Sequence, residues 1–156
     1  MKEYRQGTMR LDATQSGLLW IAALFFCLAA PAAAEEALER TLSAEGARVY
    51  FIELQDGAVV SSPLLVRFGL AGMGVAPAGV ESEKTGHHHL LIDADLGDPS
   101  LPVPSDENHR HFGGGQTQVS VELPPGEHTL RLVLGNHLHI PHDPPVTSAR
   151  ITVTVK

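Results

Sequence analysis

Residues 118–135 read QVSVELPPGEHTLRLVLG, and this stretch leaves the chain few architectures to choose from. Val119, Val121 and Leu123 fall on one side, with Gln118, Ser120 and Glu122 on the other. After the PPGE turn, Leu130, Leu132 and Leu134 again share one face. A period of two places successive side chains on opposite faces of an extended segment. The same punctuation by Gly and Pro bounds 47–54 (ARVYFIEL), 63–70 (PLLVRFGL), 87–93 (HHHLLID) and 149–155 (ARITVTV). Leu64, Val66, Phe68 and Leu70 line up in the second of these, and Ile151, Val153 and Val155 in the last. Short alternating runs with no convincing helix among them predict an all-β fold. The expectation is an immunoglobulin-like antiparallel β-sandwich of about seven strands.

The first 34 residues read as an address. Lys2, Arg5 and Arg10 precede an apolar run over 18–30, and Ala32-Ala33-Ala34 follows as a small-residue cleavage site. This is the pattern of a secretory signal peptide, with Met9 as an alternative start, and the apolar run is short for a bilayer span. Cys27 lies inside that run without the small residues expected before a lipid-modified cysteine. Cleavage near Ala34 predicts a periplasmic or secreted protein with no stable membrane insertion. A polar leader would occupy 35–46 and the sandwich 47–156.

The expected mature chain contains no cysteine or tryptophan, so it has no disulfide and no thiolate ligand. Its 8 Lys+Arg against 16 Asp+Glu give a net charge of −8. An acidic chain without a basic stripe argues against nucleic acid as a partner.

Chemistry concentrates in the histidines. Eight of the nine fall in three stretches, TGHHHLLID, NHRHFGGGQT and GNHLHIPHDPP. On a strand His87 and His89 share a face with Leu91 and Asp93, whereas His88 shares the other with Leu90 and Ile92. The His-x-His spacing recurs at His109/His111 and His137/His139, and His142 follows in a proline-stiffened loop. Two imidazoles on one side of an extended segment can chelate one ion, and pairs from different segments can complete a site. The candidate metal ligands are therefore His87, His89, His111, His139, His142, His109 and His137. His88 and His128, in phase with the core leucines, read as structural. Without thiolates and with Met73 the one methionine of the mature chain, the donor set suits copper(II) or zinc. Asp93, Asp106 and Asp143 are available as further ligands or as acceptors behind the imidazoles.

The triple glycine 113–115 lacks the lysine and the strand-to-helix setting of a phosphate cradle, and reads instead as a hinge or a close backbone approach to the His89 region. The loops 71–86 and 94–117 are long for a compact domain and flank the histidine clusters.

The segments over 49–80, TGHHHLLID, HRHFGGGQT, LPPGEHTLRLVLGN and HIPHDPP, in this order, resemble a bacterial secreted family called domain of unknown function 4399. The resemblance covers about 47–156. It implies no activity, and it matches His87, His88, His89, His111, His139 and His142. The reading is a metal-handling protein rather than an enzyme. The alternative is a cell-envelope module that binds a protein or glycan, with the histidines as a hydrogen-bonded brace. A metal-assisted hydrolase or oxidase would need an open coordination position and a base, for which Asp93 or Asp143 could serve.

Overall fold

The structure, a computed structural model, describes residues 40–156. The expected signal peptide and the first residues of the leader lie outside the described residues. Nine strands follow in order: β1 (Arg48–Ile52), β2 (Ala58–Val60), β3 (Leu64–Ala71), β4 (Gly74–Val75), β5 (Thr85–Ile92), β6 (His109–His111), β7 (Gln118–Val121), β8 (Gly126–Gly135) and β9 (Ile151–Val155). They form a three-stranded sheet, β1-β3-β7, and a six-stranded sheet ordered β2-β9-β8-β5-β4, with β6 also on β5.

The all-β expectation holds, and the main strands lie where alternation put them. Val49, Val66, Phe68 and Val121 of the smaller sheet face Leu90, Leu132, Leu134 and Val153 of the larger one across a continuous core. Burying two apolar faces against each other is what makes a sandwich stable.

The structure departs from the sequence reading in two respects. Among the described residues there are nine strands rather than about seven, because β2, β4 and β6 are two or three residues long and too short to show alternation. The sheets are also not purely antiparallel, since β2 runs parallel to β9 and β4 parallel to β5.

Strand β5 positions the site. Its core face carries His88, Leu90 and Ile92, and the His88 ring packs on Phe68 with centroids 5.1 Å apart. Its other face carries His87, His89 and Leu91, yet these are buried too. Leu91 joins Val103 and Val133 in a small second cluster roofed by the loop after β5. That loop is tied down where the Val103 N–H donates to the carbonyl of His139 at 2.9 Å. The outer face of the larger sheet is thus covered locally, and this cover turns two surface-facing imidazoles into buried ones.

Candidate metal centre

Four imidazoles meet over the outer face of β5. His87 and His89 come from β5 itself, His111 from β6 and His139 from the loop after β8. The six ring-centroid separations among them run from 4.7 Å (His111–His139) to 6.0 Å (His89–His139). Within this group, ligand atoms of His87, His89 and His111 all lie within 4.8 Å of one another.

Register explains the convergence. His89 pairs directly with His111 across the β5–β6 ladder, so both side chains rise from the same side of the sheet. His87 stands two residues before His89 on that face and opposite Gly135 of β8. His139 is delivered by a loop built around Asn136. Its Oδ1 accepts from the N–H of Leu138 at 2.9 Å and of Ile140 at 3.0 Å, and the His139 N–H donates to the Asn136 carbonyl. This turn holds His139 at φ 68°, a left-handed conformation that costs a non-glycine residue about 1–2 kcal/mol.

Glycines make room for the rings. A Cβ on Gly135 would stand 2.9 Å from His89 Nε2, and one on Gly113 would stand 2.3 Å from His111 Cε1. The glycine run 113–115 therefore does serve a close approach, to His111 on the strand that pairs with His89.

The electrostatics favour neutral, ligating imidazoles. Burial lowers His87 from 6.5 to about 4 and His89 to about 2, and the neighbouring histidines push both the same way. Burial also lowers His111, which is partly open to solvent. The Nε2 atoms of His87 and His89 are 3.1 Å apart, and among the described residues the Nδ1 atoms of both have no hydrogen-bond partner. Two nitrogens each about 2.0–2.1 Å from one metal would stand roughly 2.9 Å apart at a right angle and roughly 3.4 Å apart at the tetrahedral angle. The observed separation falls between these values, so the pair fits a common ion.

The other sequence candidates lie outside this group. His109 hydrogen-bonds through Nδ1 to Asp106 at 2.9 Å and directs Nε2 at the carbonyl of Asp95, 3.4 Å away. His142 is buried with Nδ1 against Thr41 Oγ1 at 2.8 Å. His137 lies half-buried beside a groove shared with His142.

His128, read as structural, donates to Asp93 Oδ2 at 2.7 Å and to the Pro124 carbonyl at 3.0 Å. With both nitrogens facing acceptors its cation is favoured, and the hydrogen bond to Asp93 raises its pKa. Asp93 also accepts from the Thr129 N–H, and Asp143 pairs with Arg40. These two carboxylates, the candidate bases of a hydrolase, are thus engaged in structural contacts.

Residues 66–156 match the family model described as "Domain of unknown function (DUF4399)". The chain belongs to the DUF4399 family. Comparison with curated proteins and with solved structures found no match. The span shared with DUF4399 starts within β3 and holds all nine histidines, whereas β1 and the segment 40–43 precede it.

Sequence reasoning missed Asn136, Gly135 and Thr41 as supports of the site. An Asn followed by a polar, extended loop is a signal for a side-chain-capped turn, and NHLHIP carries it. Nothing in the sequence marks Thr41, which reaches His142 from a hundred residues away along the chain.

Proposed function

We propose that this protein binds a transition metal, copper(II) or zinc, through His87, His89, His111 and His139, and that its role is metal handling in the periplasm or outside the cell. The observation that carries the reading is the convergence of four imidazoles from three separate segments, two of them fully buried with Nε2 atoms at ligand spacing. Burying so many polar rings without satisfying their nitrogens is costly, and a bound cation would repay it. Imidazole nitrogen donors suit copper(II) or zinc better than magnesium or calcium, which take oxygen.

Calorimetric titration of the chain from Glu35 onward with copper(II) and with zinc tests this, beside His111→Ala. One ion per chain at micromolar or tighter affinity, weakened at least about tenfold in the variant, is the expected result. Equal, weak binding by both proteins would defeat the reading.

A second reading rests on one observation. The outer face of the smaller sheet exposes Tyr50, Ile52 and Leu65, with the Arg48 guanidinium 5.9 Å from the Tyr50 ring centroid. An uncovered apolar face of this kind suits an envelope interaction module that binds a protein or glycan. A chain that takes up no metal yet loses capture of envelope material on Tyr50→Ser would support it.

A further inference from the structure

One short segment bonds to the chain neighbours of three of the four histidines. Residues 76–79 read Ala-Pro-Ala-Gly and follow β4. The Ala76 N–H donates to the carbonyl of Gly86 at 2.9 Å, and Gly86 precedes His87. The Ala78 N–H donates to the carbonyl of Gly113 at 2.8 Å, two residues after His111. The Gly79 N–H donates to the carbonyl of His137 at 3.0 Å, two residues before His139. Pro77 has no N–H to offer, so each donor the segment possesses goes to a different arm of the site.

Local sequence explains this. The Val80 N–H closes back on the Pro77 carbonyl at 3.2 Å, and Gly79 sits at φ 79°. These are the marks of a type II turn, whose third residue needs a positive φ and therefore favours glycine. The turn's own hydrogen bond comes from its fourth residue, which leaves the N–H groups of Ala78 and Gly79 to bond outward. β6 and β8 both pair with His89–Leu91 of β5, so they occupy opposite edges of that strand. The spacing of His111 from His139 across β5 therefore depends on what bridges the two sides, and this turn does so. It fits closely, since a Cβ on Gly113 would stand 3.2 Å from the Ala78 Cβ.

We propose that the turn over 77–80 is a positioning element of the metal centre, which holds His111 and His139 at a set spacing from His87 before an ion arrives. The proposal rests on the metal reading above and adds preorganisation to it. Donors already gathered avoid the cost of being ordered on binding. The turn acts through backbone bonds to residues beside the ligands.

Gly79→Ala tests the proposal against Gly57→Ala. Both glycines hold a positive φ, 79° and 76°, and a Cβ on either meets nothing within 4 Å. Alanine therefore strains both backbones alike without a clash. Gly57 bonds to Thr152 of β9, with β8 between that strand and β5. Urea unfolding is expected to show similar losses of stability in the two variants. Calorimetric titration with zinc is expected to show affinity weakened about tenfold in Gly79→Ala and within about threefold of the parent in Gly57→Ala. The copper(II) electron paramagnetic resonance spectrum should change in Gly79→Ala alone. Parental affinity and spectrum in Gly79→Ala would overturn the proposal. Equal weakening in both variants would also overturn it, by tracing the effect to general stability. Should Gly79→Ala fail to fold, Ala78→Pro removes the donor to Gly113 at a turn position that suits proline. Weakened binding is expected there, and parental binding would refute the role. A parent chain that takes up no zinc or copper(II) sinks the metal reading itself, and the positioning role with it.

Discussion

His89 and His111 stand directly opposite one another on neighbouring antiparallel strands, with ring centroids 5.1 Å apart. The pairing is set by register, so a slip of one residue in β6 would present Arg110 to His89 instead. What keeps the His111 ring over the site is the absence of a side chain at Gly113.

Gly113→Ala is therefore expected to displace the His111 ring and to weaken metal binding about tenfold or more. Its φ is not in the left-handed region, so the backbone itself tolerates alanine. Gly114→Ala is the matched control, because its Cβ meets only the flexible Gln116 side chain, at 3.1 Å. Titration of both variants checks this. Equal affinities would show that His111 is not held by the glycine.

The histidine face was legible in the sequence because strand geometry alone assigns it. Alternation placed His87 and His89 together and His88 with the core, and the structure has them so. The same rule could not say which distant histidines would join them. His111 arrives by a three-residue strand and His139 by an irregular loop, and neither element has enough length to show a period. The rule also gave His109 and His111 equal standing on one face of β6, and Asp106 breaks that tie by engaging His109. The leader was legible only as polar. Its strap over His142 depends on contacts between residues far apart in sequence, for which no local pattern exists.

Asn136 is expected to matter for metal binding without touching the ion. Its Oδ1 satisfies two backbone N–H groups, a buried one on Ile140 and a part-buried one on Leu138. Asn136→Ala should cost about 2–3 kcal/mol of stability and, by releasing His139 from its left-handed pose, about tenfold in affinity. Asn136→Asp keeps the acceptor and should recover part of both. Urea unfolding alongside titration checks the pair; an alanine variant with parental values would refute it.

His88 makes the opposite prediction. Neither of its ring nitrogens makes a well-formed hydrogen bond among the described residues, and the Gln116 backbone is only a weak partner to the ring. Replacing an unsatisfied buried polar ring with an apolar side chain of similar size removes a penalty of about 1–3 kcal/mol. His88→Leu should accordingly be more stable than the parent and bind metal equally well, because it points away from the site. Loss of metal binding in this variant would place His88 in the centre's support after all.

The buried histidines also set the pH dependence of the metal-free fold. Burial lowers His87 and His88 to about 4 and His89 to about 2, from an ordinary value of 6.5. Below 6.5 the unfolded chain takes up protons that the folded chain refuses, so stability falls as the pH falls. The contribution is fully present above about pH 6.5, and each histidine removes up to about 1.4 kcal/mol per pH unit below it. His128 works the other way: its hydrogen bond to Asp93 raises its pKa, so its contribution is present below about pH 6.5 and is lost as the pH rises, which offsets part of the fall between pH 7.5 and pH 5.5. Domains of ordinary stability hold about 5–15 kcal/mol, so acid unfolding is expected between about pH 4 and pH 6. Urea melts at pH 7.5 and 5.5 measure the slope directly, and His88→Leu should make it shallower. A stability that stays flat across this interval would mean that these imidazoles accept protons in the folded chain and are not sealed beneath the loops.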